Sequence, residues 1–364
     1  MGKKIRREVS NRLNQIVHSI KDTDVTIESK NKIQYSLDLR KVYAGYGKTT
    51  VLHDVTLQVE KGSIIAVIGN SGAGKTTGIR CMTAQIKAQK GSCVTAGYDV
   101  NKVPEEVQLR IGYVPQLEYL SLYYDFSALD NALFFGRNFG TPDKIIKKRC
   151  IEVMKTLGLT KKEFWTKPVK KLSGGEKKRV SIMIGLINNP EILFLDEPTT
   201  GLDPHLRIEV LNFLARINHK FKTTMVIVSH DLECVDYCNQ VMVFAQGYMV
   251  DFGNPRKLTR SLPNSGKAIT MRFHNLTPDE EQSIEKIPEV IYKLHVGRNT
   301  FKIFYENEAS LSIIFSKLQE LGLESNHYHS NCVFLDYFRV MSVYNYNKIV
   351  GQRKLEATKE EESK

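Results

Sequence analysis

Gly69-Asn70-Ser71-Gly72-Ala73-Gly74-Lys75-Thr76 follows directly on the apolar run Ile64–Ile68. Residue types at that spacing can grip a triphosphate. The glycines let successive backbone N–H groups turn inward around phosphate oxygens, and the helix that follows presents its positive end. In the G-x-x-x-x-G-K-[ST] pattern the lysine, Lys75, reaches the terminal phosphates, and the hydroxyl of Thr76 holds Mg2+. Thr77, next in the chain, completes the candidate phosphate set. Further on, the four apolar residues Ile192–Leu195 deliver Asp196 and Glu197 to the carboxyl end of a buried strand, where α/β sheets place their sites. Asp196 is the candidate to complete the metal shell. Glu197 is adjacent, so its side chain points elsewhere, toward a water in line with the γ-phosphate. The chemistry implied is binding and hydrolysis of a nucleoside triphosphate.

Such groups need a sheet to hold them. Residues 33–68 read as strands, with turns at Gly45-Tyr46-Gly47 and Glu60-Lys61-Gly62. A helical, basic segment runs from roughly Leu117 to Lys171. Ile192–Leu195 and Met225–Val228 are then buried-strand signatures, each preceded by a helical pattern, which means a mostly parallel sheet. Around 253–266 the pattern breaks at Gly253, Pro255, Pro263 and Gly266, which reads as a linker. Beyond it the order is strand 267–273, helix 278–286, strand 289–295, strand 299–306, helix 308–321 and strand 325–330. Thr277-Pro278-Asp279-Glu280 opens the first helix with a capping box, and Gly322 closes the second. The β-α-β-β-α-β order is the ferredoxin-like motif. The chain thus divides into an N-terminal basic extension (1–32), a nucleotide-binding domain (33–252), a linker (253–266), a small α+β domain for regulation or dimerisation (267–345) and a charged tail (346–364). Within the extension, Ile5, Val9, Leu13, Ile16, Val17 and Ile20 draw one apolar stripe on a helix. That stripe suits packing on the protein's own body or binding at a membrane surface or partner.

The 364 residues carry a formal charge of +12, concentrated as +6 over residues 1–50 and +9 over residues 141–180. Two basic regions on a near-neutral body suggest contact with something anionic, and charge alone does not choose between nucleic acid and phospholipid. No apolar run reaches about eighteen residues, the expectation being a chain that does not span a membrane. No secretory signal is expected at the N-terminus. Six scattered cysteines, with Cys234 and Cys238 at helical spacing, read as free thiols of a cytoplasmic protein.

Further motifs give the sequence a close resemblance to the ATP-binding cassette (ABC) family over residues 36–252. Lys171-Leu172-Ser173-Gly174-Gly175-Glu176 matches the signature that defines it, and Tyr113-Val114-Pro115-Gln116 matches its Q-loop. Gly201-Leu202-Asp203 matches the D-loop, and Val228-Ser229-His230-Asp231 the switch histidine. Ala44-Gly45-Tyr46-Gly47 resembles the loop whose aromatic stacks on adenine, with Tyr46 favoured over Tyr43 by its spacing to Val51-Leu52.

The resemblance implies a P-loop NTPase cassette with a RecA-like parallel sheet core, an antiparallel β subdomain and a helical signature subdomain. It also implies ATP and Mg2+ as ligands and a head-to-tail dimer, of two copies or with a paralogous ATPase subunit. ATP would be trapped between one P-loop and the other chain's Ser173, Gly174 and Gly175, with Asp203 beside it. Gln116 would contact metal and attacking water, His230 would brace the γ-phosphate, and Glu197 would polarise the water or act as its base. A single cassette without spanning segments resembles the ATPase subunit of a transporter whose transmembrane permease is a separate chain, peripheral on the cytoplasmic face. Residues 122–137 look like the corresponding segment of drug-, polysaccharide- and sodium-export ATPases. The alternative is a soluble, non-transport ABC ATPase acting on nucleic acid or ribosomes. It is disfavoured: only one cassette is present, and Lys75 and Ser173 lie 98 residues apart with no heptad run between them.

Overall fold

The computed structural model describes residues 35–161 and 163–342, except the side chain of Phe164. The expected N-terminal amphipathic helix and charged tail lie outside the described residues. The described residues form two compact units, divided between Gly253 and Asn254.

The first unit is built on ten strands. β1 (Tyr35–Tyr46) and β2 (Thr49–Glu60) form a hairpin, followed by β3 (Ile64–Gly69), β4 (Ala88–Thr95), β5 (Tyr98–Asp99), β6 (Ile111–Val114), β7 (Ile192–Asp196), β8 (Thr224–Ser229), β9 (Gln240–Ala245) and β10 (Tyr248–Gly253). They line up as β5-β4-β1-β2-β10-β9-β3-β8-β7-β6. One end, β5-β4-β1-β2, is antiparallel. The other, β9-β3-β8-β7-β6, is parallel. Every residue of β3, β7 and β8 is buried. That is why these strands read as unbroken apolar runs: in a parallel sheet both faces are covered. β1 continues through Tyr46, which pairs with Thr49. The turn is therefore tighter than expected and leaves Tyr46 at the strand end.

The basic segment folds as helices Ala128–Asn138, Asp143–Thr156, Glu163–Thr166 and, through the signature, Gly174–Leu186. Gly136 and Ile146 set the first two in contact: a Cβ on Gly136 would come 2.6 Å from the Ile146 side chain. Gly174–Leu186 is buried on most sides.

In the second unit β11 (Lys267–Phe273), β12 (Tyr292–Gly297), β13 (Thr300–Phe304) and β14 (Ser325–Asn331) pair antiparallel in the order β12-β13-β11-β14. With helices Pro278–Glu285 and Glu308–Glu320 this is the ferredoxin-like arrangement. Ile269, Met271, Phe301, Ile303, Ile284, Leu311 and Ile314 form its core.

The stretch read as a linker is structured. Pro255–Arg260 is a helix whose Asn254 side chain accepts from Arg256 N and Lys257 N, and Pro263–Gly266 adds a turn with Asn264 and Ser265 in left-handed conformation. Both prolines sit at a first helical position, where the missing N–H is harmless, so they start turns where the sequence reading took them as breaks.

Candidate functional site

The phosphate loop leaves β3 at Gly69, where a Cβ would lie 2.5 Å from the Phe244 carbonyl oxygen on β9. Only glycine lets the two backbones approach so closely. Gly74, at φ 99, caps the helix Lys75–Met82 and turns the chain into it. Gly247 N donates to Ala73 O at 3.0 Å, bracing the loop from the β9–β10 turn. Lys75 Nζ curls over the loop and donates to Gly69 O (2.7 Å) and Asn70 O (3.1 Å). Burial depresses its pKa, against the opposing pull of Glu197 and Asp196. A ring of backbone and one buried ammonium is a cradle shaped for phosphate.

Two strands away β7 ends in Asp196. Burial raises its pKa and the Glu197 charge adds to that, while the hydrogen bond from Tyr113 opposes. Tyr113 Oη donates to Asp196 Oδ2 at 3.3 Å. Its own pKa is pushed up to about 12, by burial first and then by the Asp196 charge. Glu197 stands at φ 52, a left-handed backbone held by its N–H to Val228 O at 2.9 Å. Glu197 Oε2 lies 2.8 Å from His230 Nδ1 and accepts from Thr200 Oγ1 at 3.1 Å. The carboxyl ends of β3, β7 and β8 thus bring Lys75, Asp196, Glu197 and His230 to one place.

The other expected residues form a second cluster. Ser173 caps Gly174–Leu186 with a reciprocal capping box: its hydroxyl accepts from Glu176 N and its N–H donates to Glu176 Oε2. Gly175 sits against Leu206, 3.4 Å from where its Cβ would be. Asp203, exposed, opens the neighbouring helix Pro204–Phe221. Among the described residues no hydrogen bond or ion pair joins this cluster to the phosphate loop. Tyr46 is exposed beside the helix Lys75–Met82, accepting from Arg80 Nη1 at 3.0 Å, while Tyr43 faces His53 and Lys90. Gln116 is exposed at the end of β6.

The oxygen donors Thr76 Oγ1, the Asp196 carboxylate and the Gln116 side chain are a hard set suited to Mg2+, which is held by one or two carboxylates plus substrate phosphates. The reading of residues missed Tyr113 Oη and Arg80, because each acts on a partner distant in the chain, and Thr200, whose bond to Glu197 depends on the left-handed turn between them.

The family model described as ABC transporter matches residues 52–200. The chain is 31% identical over 296 residues to the methionine import ATP-binding protein MetN 2 of Enterococcus faecalis, covering 79% of this chain and 83% of the relative. The chain belongs to the ABC transporter family. It is also 34% identical to the Nod factor export ATP-binding protein I of Cupriavidus pinatubonensis, covering 62% of this chain and 68% of that one. Among solved structures the cassette is similar to cbiO1 of Clostridium perfringens, part of the cbiONQ transporter complex, at TM-score 0.58 and 28% identity over 62% of this chain and 90% of that one. It is also similar to a dimeric bacterial ABC transporter cassette at TM-score 0.53 and 25% identity, over 60% of this chain and 98% of that one. The protein is an ATP-binding, ATP-hydrolysing subunit of an ABC transporter. Among its described residues no helix is long and apolar enough to cross a membrane.

Proposed function

We propose that this subunit hydrolyses Mg-ATP as a head-to-tail dimer and drives a separate transmembrane permease, peripherally on the cytoplasmic face of a membrane. The observation that carries the reading is the convergence of Lys75, Asp196, Glu197 and His230 at the carboxyl ends of three parallel strands. The phosphate loop, residues 69–77, binds the triphosphate and Tyr46 meets the adenine. Thr76, Asp196 and Gln116 hold the metal, whose charge neutralises developing charge on the phosphates when bound. Glu197 orients or deprotonates the attacking water, with His230 keeping the carboxylate aligned; positioning and charge stabilisation dominate in phosphoryl transfer. Ser173, Gly174 and Gly175, with the neighbouring Asp203, close the site of a second copy or of a paralogous subunit. Among the described residues no hydrogen bond or ion pair joins the signature cluster to the phosphate loop, which supports completion by a second chain.

The helical layer supports the permease assignment. Tyr123, Phe126, Phe134 and Phe135 form a ring cluster with centroids 4.7 to 6.4 Å apart, and Tyr119, Leu120, Phe134 and Phe139 are exposed. Beside it a cleft of about 490 Å³ is lined by Tyr113, Pro115, Leu120, Phe135 and Phe139. A cleft with that apolar stretch, lined also by Arg80, Gln85, Gln108 and Asn188, suits an amphipathic helix of a partner protein. The exposed lysines of Asp143–Thr156 add attraction to anionic headgroups. Likeness of residues 122–137 to export ATPases supports outward transport, with methionine-import relatives standing for the opposite direction. Transport in everted membrane vesicles decides between them.

The test is affinity capture of the full-length chain from detergent-solubilised membranes. Co-purification of a multi-span protein is expected, and its replacement by salt-sensitive RNA would select the non-transport reading. Leu120→Asp with Phe139→Asp is expected to weaken that capture about 30-fold or more, as for loss of interface anchors. ATP turnover by the isolated chain should stay within about twofold.

A further inference from the structure

Lys178 is the one wholly buried lysine among the largest fully buried side chains. It lies on the signature helix Gly174–Leu186, five residues beyond Ser173. Its Nζ donates to the backbone oxygen of Gln116 at 3.0 Å and pairs with Glu118 Oε1 at 2.7 Å. One turn further along the same helix, buried Ser181 Oγ hydrogen-bonds to Ser121 Oγ at 2.8 Å. Helical residues three apart share a face, so two ties fasten residues 116–121 to one side of the signature helix. A buried ammonium that lost these acceptors would be heavily penalised, which favours keeping the link when the helix moves.

We infer that Lys178 is a positioning residue that makes Gln116 travel with the signature helix, coupling two ATP sites. The inference rests on the dimer reading above. In that arrangement Ser173 closes over the partner's ATP, while Gln116 serves the ATP in its own chain. A rigid strut between them lets closure on one nucleotide set the place of the metal- and water-facing side chain at the other. Neither end alone requires a lysine: a solvated face would leave Nζ in water, and a purely apolar helix would have a leucine there. The lysine here reaches the Gln116 carbonyl.

The test compares Glu118→Gln with the double variant Glu118→Gln/Lys178→Met, which avoids leaving the half-buried Glu118 carboxylate without its ammonium partner. In the full-length chain the double variant is expected to lose at least tenfold in kcat relative to Glu118→Gln and to bring the Hill coefficient for ATP toward one. The Kd for a fluorescent ATP analogue should stay within about twofold. Turnover within twofold of Glu118→Gln, with its cooperativity intact, overturns the strut. Should the double variant fail to fold, hydrogen exchange on the Glu197→Gln chain gives the answer. Peptides covering 116–121 and 174–186 must gain protection together on adding Mg-ATP, and protection of one without the other overturns the inference. Absence of any nucleotide binding would instead defeat the underlying ATPase reading, which keeps the two failures distinguishable.

Discussion

Glu197→Gln is expected to bind ATP as tightly as the parent chain and to hydrolyse it about 100-fold more slowly or worse, the range seen when a positioned acid–base group is lost. The amide keeps the volume, and its oxygen can still accept from His230 Nδ1 and Thr200 Oγ1, which now surround Glu197 Oε2. What disappears is the negative charge and the capacity to take a proton from water. Because Asp196 keeps its own contact with Tyr113, the metal-facing half of the site is untouched. ATP should therefore accumulate unhydrolysed between two chains, seen as a dimer on size exclusion with Mg-ATP and as loss of phosphate release. Parental turnover in the purified variant would remove Glu197 from the chemistry.

Lys75→Ala has the other large expected effect. A charge-assisted hydrogen bond is worth about 1.5–3 kcal/mol, so ATP affinity should fall roughly 10- to 100-fold by calorimetry. The fold itself should tolerate the change. Lys75 Nζ satisfies two carbonyls of its own loop, and the desolvation that depresses its pKa is relieved when the side chain goes. A thermal midpoint without nucleotide close to that of the parent, combined with lost binding, would separate recognition from stability. Unchanged affinity would contradict the phosphate cradle.

Much of this was legible before any coordinates, for a physical reason: phosphate binding uses contiguous backbone. Gly69 to Thr76 must be neighbours in sequence because successive N–H groups do the work, and Asp196-Glu197 must follow an apolar run because a buried strand carries them. The ferredoxin-like unit was readable through its helix ends, since Thr277-Pro278 and Gly322 mark boundaries locally. Contacts across long sequence separations were not readable. Lys178 is 62 residues from Gln116, and a lysine in a basic stretch looks like a solvated one. Its clue was the company it keeps, Val180, Ile182, Met183 and Ile184 being buried around the helix. Tyr113 and Asp196 are 83 apart and meet only because β6 lies beside β7. Residues 254–266 were misread for a different reason: proline at a helix start and proline in a linker look alike without the preceding Asn254 being recognised as a cap.

The left-handed backbone at Glu197 has a consequence for how such a chain drifts under mutation. That conformation disfavours most residues by about 1–2 kcal/mol and suits glycine, or asparagine, far better than glutamate. A library screened only for heat tolerance would enrich Gly or Asn at 197 and silently select dead enzymes. Thermostability and turnover are set against each other at this one codon.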